Sequence, residues 1–380
     1  MIIGIDVSAV PYGTGVSNYT SNLVRNLVLI DHKNQYKLFF SSLRQPLPAE
    51  IQELTKYKNV KIFRHYFPPT LLSYLWNDLH IFPIEMFIGR CDIFHTWDWT
   101  HPPTTRAKTI TTVHDFVPFL FPEDQHPRTI ATFKKKLSHA VRECFHFICV
   151  SQSTKNDLTR IFPGIKADKI SVIYEAAEKK FDLFHKLSLK ERQSKIAKIH
   201  QQYGLSNFIL TQGTREPRKN LSRLIQAFTQ FKRAHPTSKV ELAISGKYGW
   251  GDDVSPPGDN SVKVLGYIPE KDLVALHASA LCLAYPSTYE GFGLPIIKSM
   301  KVGTPVITSN LSSLAEVAGQ AALLVNPTST KELTEAITNI VNSPTLRRTL
   351  INRGYRQAAK FSWAKTASET LSVYTKTFNS

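Results

Sequence analysis

Residues 285–300 read Tyr285-Pro286-Ser287-Thr288-Tyr289-Glu290-Gly291-Phe292-Gly293-Leu294-Pro295-Ile296-Ile297-Lys298-Ser299-Met300, and their reading decides the fold. The run Leu281-Cys282-Leu283-Ala284 before them is apolar throughout, the pattern of a strand buried on both faces. From Leu294 the spacing predicts a helix, with Pro295 near its first position, where a missing amide donor costs nothing. Gly291 and Gly293 flank Phe292, so the backbone can turn sharply and approach a ligand closely. A helix start offers unpaired N–H groups and the positive end of a dipole, which together make an anion site. Glu290 at the mouth of that turn is out of place beside an anion unless the ligand also carries hydroxyls. The combination fits a sugar attached to a phosphate.

The same strand, glycine turn, helix pattern recurs outward in both directions. Residues 2–7 read as a buried strand, followed by a loop with Gly13 and Gly15 and then a helix through Tyr19, Leu23, Val24, Leu27 and Val28. Further strands are expected at 36–41, 60–63, 92–96, 107–113, 147–150 and 170–174. The pattern stops over 181–206, a polar helical stretch rich in lysine that reads as an interdomain connection. It resumes with strands at 208–211, 240–245, 262–265, 281–284, 306–308 and 322–325. Strands alternating with helices predict doubly wound parallel sheets. Because 380 residues exceed what one hydrophobic core usually serves, two such domains are expected. The boundaries read as 1–180, the connection 181–206, a second domain 207–360, and a final amphipathic helix 361–380 that must dock on something already built.

Composition narrows the class. A hydrophobic share of 42% with 20% charged residues is that of a folded globular protein. The net charge of +17 is spread along the chain without the motifs of nucleic-acid binders, so phosphorylated substrates or an anionic membrane surface are the expected partners, and nucleic acid is not. Lys134-Lys135-Lys136 reads either as a solvated helix surface or as a contact to anionic headgroups. The aromatic stretch 67–87, with Trp76, Phe82 and Phe87, reads either as core packing or as an acceptor- or membrane-facing surface. Cys91, Cys144, Cys149 and Cys282 form no Cys-x-x-Cys pair and read as buried free thiols. The first residues form a strand rather than a signal peptide, and no apolar run is long enough to span a bilayer, so a cytoplasmic protein is expected.

Three more residues carry chemistry. His114, before Asp115, follows a predicted strand, and ligands of open α/β sheets gather beyond such carboxyl ends. Arg218 and Lys219 begin a helix, where the dipole disfavours cations, an arrangement that a bound diphosphate would justify.

These motifs together resemble the retaining glycosyltransferases of family four, with the GT-B fold of two facing Rossmann-like domains and an interdomain cleft. The resemblance is carried in order by Gly4-Ile5-Asp6, Gly13-Thr14-Gly15, Val113-His114-Asp115, Val150-Ser151-Gln152-Ser153, Glu216-Pro217-Arg218-Lys219-Asn220, Ser245-Gly246-Lys247, Leu265-Gly266-Tyr267, Glu290-Gly291-Phe292-Gly293-Leu294-Pro295, Gly303-Thr304-Pro305-Val306 and Phe361-Ser362-Trp363. It implies a nucleotide-diphospho-sugar donor, with Arg218, Lys219, Gly15 and the backbone of Gly291, Phe292, Gly293 and Leu294 at the phosphates. Glu290 would hold a sugar hydroxyl, and His114 would support transfer. Lys247, Tyr267, Ile268 and Lys298 would lie at the base and ribose. The resemblance further implies no metal or other cofactor, retention of anomeric configuration, and a final helix that crosses back to the first domain. The phosphate turn looks like that of mannosyltransferases, so GDP-mannose is the first expectation, with UDP-hexose and dTDP-rhamnose as alternatives. The acceptor would be a glycan or lipid-linked glycan in cell-surface polysaccharide synthesis, with a peripheral contact to the membrane's inner face. One departure stands out: Lys298 occupies the position of the family's second glutamate, which contacts the ribose. A lysine cannot accept hydrogen bonds from a diol. This leaves open a non-catalytic partner subunit as the alternative.

Overall fold

A computed structural model describes residues 1–97, 99–249, 251 and 258–380. It divides into two compact units, Met1–Glu175 with Ser362–Ser380, and Ala176–Phe361.

The first unit holds seven parallel strands, β1 (Ile2–Asp6), β2 (Gln35–Ser41), β3 (Val60–His65), β4 (Ile93–Thr96), β5 (Lys108–Val113), β6 (His146–Cys149) and β7 (Ile170–Val172), in the order β3-β2-β1-β4-β5-β6-β7. The second holds six, β8 (Phe208–Gln212), β9 (Glu241–Ser245), β10 (Val262–Gly266), β11 (Cys282–Tyr285), β12 (Val306–Ser309) and β13 (Leu323–Val325), in the order β10-β9-β8-β11-β12-β13. Helices connect most of the strands, and both sheet faces are covered. That is why Ile3, Ile5, Ile93, Ile110, Ile209, Leu210, Leu283 and Ile307 are fully buried and the strands read as continuous apolar runs. The four cysteines are buried and free, and burial pushes each thiol up to about 12. Strand order reverses between β1 and β4 in one unit and between β8 and β11 in the other. A doubly wound sheet opens its ligand crevice beyond the strand ends at such points.

The final helix, Trp363–Asn379, belongs to the first unit. It packs on the helix Gly15–Ile30, with the ring of Trp363 against Tyr19. Tyr374 Oη lies 2.6 Å from His95 Nδ1, Thr366 donates to the Tyr174 carbonyl at 2.7 Å, and Lys108 donates to the Thr377 carbonyl at 3.1 Å. Burial pulls His95 down to about 3, so this fully buried histidine is a neutral packing group.

Three readings of the sequence need correction or resolution. Residues 181–206 are not a free connection: they lie in the second unit, which begins at Ala176. Phe181, Phe184 and Ile199 are buried, and Tyr203 donates to Asp272 at 3.2 Å. Only one edge of the helix Leu189–Tyr203 is apolar, so its charged faces hid its attachment. Next, the third lysine of Lys134-Lys135-Lys136 does not reach solvent; Lys136 is fully buried and donates to Thr111 Oγ1 at 2.6 Å. Consecutive helical residues point about 100° apart, so a triplet cannot share one face. The aromatic stretch 67–87 divides between its two readings. Trp76 sits in a core cluster with Phe39, Ile84, Ile88 and Phe94, whereas Tyr74, Phe82 and Met86 are exposed. Among the described residues, no helix is long and apolar enough to cross a membrane.

Candidate active site

In the second unit the sheet positions a charged cluster at the β8–β11 reversal. β11 ends at Tyr285, and the chain turns through Glu290 into the helix Leu294–Lys301, whose N-cap is Gly293 at φ 105°. That backbone angle favours glycine, and a Cβ there would lie 2.7 Å from Leu314 Cδ2 and displace that side chain. Ser312, itself at φ 57°, holds the turn: its hydroxyl donates to the Glu290 carbonyl at 2.6 Å and accepts from the Glu290 amide at 3.1 Å. Ser313 donates to the carbonyls of Glu290 and Phe292 at 2.8 and 3.0 Å. These hydrogen bonds hold the turn from within the protein itself.

The side chains of Arg218 and Lys219 converge on Glu290 from the short turn Pro217–Lys219. Arg218 Nη1 lies 2.9 Å from Glu290 Oε2, and Lys219 Nζ lies 2.5 Å from Glu290 Oε1. Tyr285 Oη donates to Glu290 Oε1 at 2.7 Å and accepts from Lys219 Nζ at 2.9 Å. Burial alone pushes the Glu290 carboxyl up, but Lys219 and then Arg218 outweigh it and hold Glu290 at about 2. Lys219 is lowered, by burial first and Arg218 next, with Glu290 offsetting only part. Arg218 also pairs with Glu216, at 2.9 Å from Nε to Oε2.

The two cations read from the sequence as a diphosphate site thus also have carboxylate partners within the fold. Glu216 and Glu290 already balance them, and no sequence pattern announced Glu216, Tyr285, Ser312 or Ser313 as members of the cluster.

The remaining expected residues fall as follows. Lys247 lies over the Tyr267 ring at 4.7 Å; Tyr267 is exposed, and Ile268 beside it is buried. Lys298, on the helix that starts at Leu294, is buried and pairs with Glu178 at 2.9 Å, its ammonium 5.5 Å from the centre of the Phe181 ring. The other carboxylate oxygen of Glu178 is buried without a hydrogen bond among the described residues. The position that departs from the family pattern is thus one half of a local ion pair. In the first unit, His114 at the end of β5 is buried, with Nδ1 3.2 Å from Glu175 Oε1 and its ring edge-on to Tyr19 at 4.6 Å. Gly15 is exposed at the first position of its helix, and a Cβ there would meet nothing within 4 Å.

The first unit also has a cavity of about 390 Å³ at its own strand reversal, lined by Asp6, Ser8, Tyr12, Ser41, Trp97 and Trp99 among others. Burial raises the Asp6 carboxyl, partly offset by the Ser8 amide that donates to it at 2.8 Å. Aromatic faces beside hydroxyls and a carboxyl suit a sugar, with its apolar ring faces and polar rim. The motifs Gly4-Ile5-Asp6 and Gly13-Thr14-Gly15 supply Asp6 and Thr14 to this cavity, but its tryptophans come from a separate strand end and were not read with them.

Comparison with known proteins agrees with this architecture. The family model described as Glycosyltransferase Family 4 matches residues 13–178, and the one described as Glycosyl transferases group 1 matches residues 192–357. The chain is 29% identical over 377 residues to an O-antigen chain mannosyltransferase B of Escherichia coli, covering 95% of this chain and 96% of that protein. It is 31% identical over 247 residues to the O-antigen chain mannosyltransferase RfbU of Salmonella typhimurium, covering 64% of this chain and 63% of that protein. Its fold matches sucrose-phosphate synthase of Thermosynechococcus elongatus with a TM-score of 0.71 at 19% identity, over 100% of this chain and 99% of that one. With both models matched in order and the two parallel sheets in place, the chain belongs to the family-four glycosyltransferases of the GT-B fold and is similar to their mannosyltransferase members.

Proposed function

We propose that the protein transfers mannose, with retention of configuration, from GDP-mannose to a glycan or lipid-linked glycan acceptor in O-antigen synthesis. The observation that carries this reading is the triad of half-buried Arg218 with buried Lys219 and Glu290 at the glycine turn. The donor's diphosphate would take over Arg218 and Lys219 and the amides at the start of the helix Leu294–Lys301. Glu290, released from part of its pairing, would then accept a hydrogen bond from a hydroxyl of the sugar. Negative charge developing on the departing diphosphate is met by Arg218, Lys219 and the helix dipole, so no metal is assigned to the transfer. The acceptor hydroxyl attacks the anomeric carbon from the side the diphosphate leaves, and its proton passes to a departing phosphate oxygen. His114, set by Glu175, is assigned to the donor sugar and the transfer, and Gly15 to the phosphates. Lys247, Tyr267, Ile268 and Lys298 are assigned to the nucleoside.

The acceptor sugar is placed in the Asp6–Trp97–Trp99 cavity. A lipid-linked acceptor would bring a cytoplasmic enzyme to an anionic membrane face, which the charge of +17 and the exposed Lys134 and Lys135 favour. The relatives named as mannosyltransferases support the choice of sugar. The test is radiolabel transfer from GDP-mannose, UDP-glucose and dTDP-rhamnose to lipid-linked acceptor, beside thermal shift with each donor. GDP-mannose is expected to give both the largest shift and the transfer; transfer from another donor alone would refute the donor assignment.

Lys298 offers a separate test. Lys298→Glu would set two carboxylates together in a buried pocket, and losing one partner of a buried pair typically costs about 3–5 kcal/mol. The double variant Glu178→Lys with Lys298→Glu is expected to regain most of that stability in denaturant melts. Equal melts for the single and double variants would show that the pair carries no energy.

A further inference from the structure

Three histidines and a glutamate gather in the first unit, in residues the transfer does not use. His139 and Glu143 stand one turn apart on the helix Pro127–Glu143, so both side chains share a face. His80 follows the turn Tyr74–Asp78 on a left-handed backbone at φ 53°, and His101 lies beyond β4. His80 Nε2 is 2.9 Å and His139 Nδ1 is 3.7 Å from Glu143 Oε1. His101, fully buried, has Nε2 3.1 Å from Glu143 Oε2.

Hydrogen bonding fixes which nitrogens carry protons. His80 Nδ1 is 2.8 Å from the Trp76 carbonyl and His139 Nε2 is 3.1 Å from the Asn77 carbonyl. A carbonyl only accepts, so each of those nitrogens is an N–H donor. In the neutral rings the opposite nitrogens, His80 Nε2 and His139 Nδ1, are then lone pairs turned toward one carboxylate oxygen. Two nitrogen lone pairs and a carboxylate oxygen facing one another suit a shared cation. Adding a proton to each ring would set two imidazolium cations face to face at 3.9 Å. A single divalent ion meets all three.

We propose that His80 Nε2, His139 Nδ1 and Glu143 Oε1 form a binding site for a divalent transition ion, Zn²⁺ first. The three ligand atoms lie within 4.8 Å of one another. Ligands of a tetrahedral zinc at 2.0–2.1 Å stand about 3.3 Å apart, which the 2.9 and 3.7 Å separations bracket. The surrounding bonds match those of a zinc site. Each ligand histidine donates its other N–H to a backbone carbonyl, and His101 donates to the second oxygen of Glu143. Asn77 adds a further link, accepting from the His101 amide at 3.0 Å through its side chain. Glu143 ends its helix, where the dipole favours a cation. Imidazole and carboxylate together select zinc or a neighbouring transition ion over magnesium or calcium. The rings of His80 and His139 are parallel within 6°, so binding opens the stack until both lone pairs point at the ion. All three ligand side chains are partly exposed, 23%, 18% and 36%, which leaves a route for the ion and a fourth position for water. The ion would staple the 74–80 segment to the long helix and takes no part in the transfer.

The full-length chain, stripped with chelator, is titrated with Zn²⁺ against a chromophoric chelator, beside His139→Gln and Glu143→Gln. One ion per chain is expected, with affinity falling by roughly 100-fold or more in either variant. Zinc X-ray absorption on the wild type should show two imidazoles and one carboxylate oxygen, a readout that does not depend on the variants folding. Wild-type binding no tighter than that of a folded variant would overturn the proposal. So would imidazolium N–H signals at this cluster in nitrogen-correlated NMR that persist unchanged with Zn²⁺ present, because they would assign the site to a proton.

Discussion

Replacing Glu290 with alanine is expected to abolish sugar transfer and to destabilise the protein by about 3–5 kcal/mol, the cost of breaking a buried ion pair from one side. The stability loss follows from Lys219. Its ammonium is buried and already disfavoured by its surroundings, and Glu290 is the carboxylate 2.5 Å away that offsets part of that cost. Glu290→Gln keeps the shape and one acceptor oxygen for Tyr285 and Lys219, so its stability loss should be smaller. It removes the charge that orders Arg218 and Lys219, and transfer should still fall by roughly 10²–10³, the usual cost of removing one electrostatic contact to a transition state. The pH dependence has a definite sign. Glu290 is held at about 2 in the folded state against an ordinary value of 4.5. A depressed carboxyl contributes stability that is fully present above the unfolded value and lost as pH falls from there through about 2. The gap between wild type and Glu290→Gln in urea melts should therefore hold at neutral pH and narrow between 4.5 and about 2. A gap that is the same across that window would mean the carboxylate is not what the two cations stabilise. Full transfer activity in Glu290→Ala would remove the residue from the reaction.

The strands were legible in the sequence because parallel sheets bury both faces and so write uninterrupted apolar runs. Every run read as a strand lies on one of β1–β13, with ends that differ by a residue or two. The helix Leu189–Tyr203 was misread for the converse reason: with Ile199 its sole buried residue, its pattern is that of a solvated linker. Within the site, residues close in sequence were legible and residues joined only by folding were not. Arg218, Lys219 and Glu290 announced themselves by sitting in glycine and proline turns beside predicted helix starts. Glu216 lay in the quoted motif without a role, and Tyr285 opened the turn stretch without one. Glu178 and Glu175 pair with Lys298 and His114 across 120 and 61 residues, and nothing in their own neighbourhoods marks them. The same limit hid the His80–His139–Glu143 cluster, whose third member arrives from a separate loop.

Gly246→Ala should be the most damaging single methyl added near the donor site, costing more than about 4 kcal/mol, where only gross steric or charge defects lie. Gly246 follows β9 at φ 141°, a backbone angle that residues with a Cβ rarely adopt. An added Cβ would stand 1.8 Å from the carbonyl oxygen of Gly213, well inside contact distance, and that obstacle is backbone rather than a movable side chain. The approach is enforced from several sides. The Gly213 amide donates to the Ser245 carbonyl at 2.9 Å, the Gly246 amide to the Gly266 carbonyl at 2.8 Å, and the Arg215 amide to the Lys247 carbonyl at 2.9 Å. Making room for the methyl therefore means breaking the ties that hold the ends of β8, β9 and β10 together. The displacement would also reach the chemistry, because the Lys219 side chain lies along Gly213, its Cε 3.4 Å from where a Cβ there would stand. Gly15→Ala is the contrast. That glycine opens a helix with empty space around it, so alanine should leave stability within about 0.5 kcal/mol of wild type. Any loss of transfer in Gly15→Ala would then report on donor contact alone, whereas Gly246→Ala should lose folding and transfer together. Denaturant melts of the two variants separate these cases. A Gly246→Ala protein with wild-type stability would mean the two loops can part by more than an ångström at little cost, and the rigid seat proposed here for Lys219 would not exist.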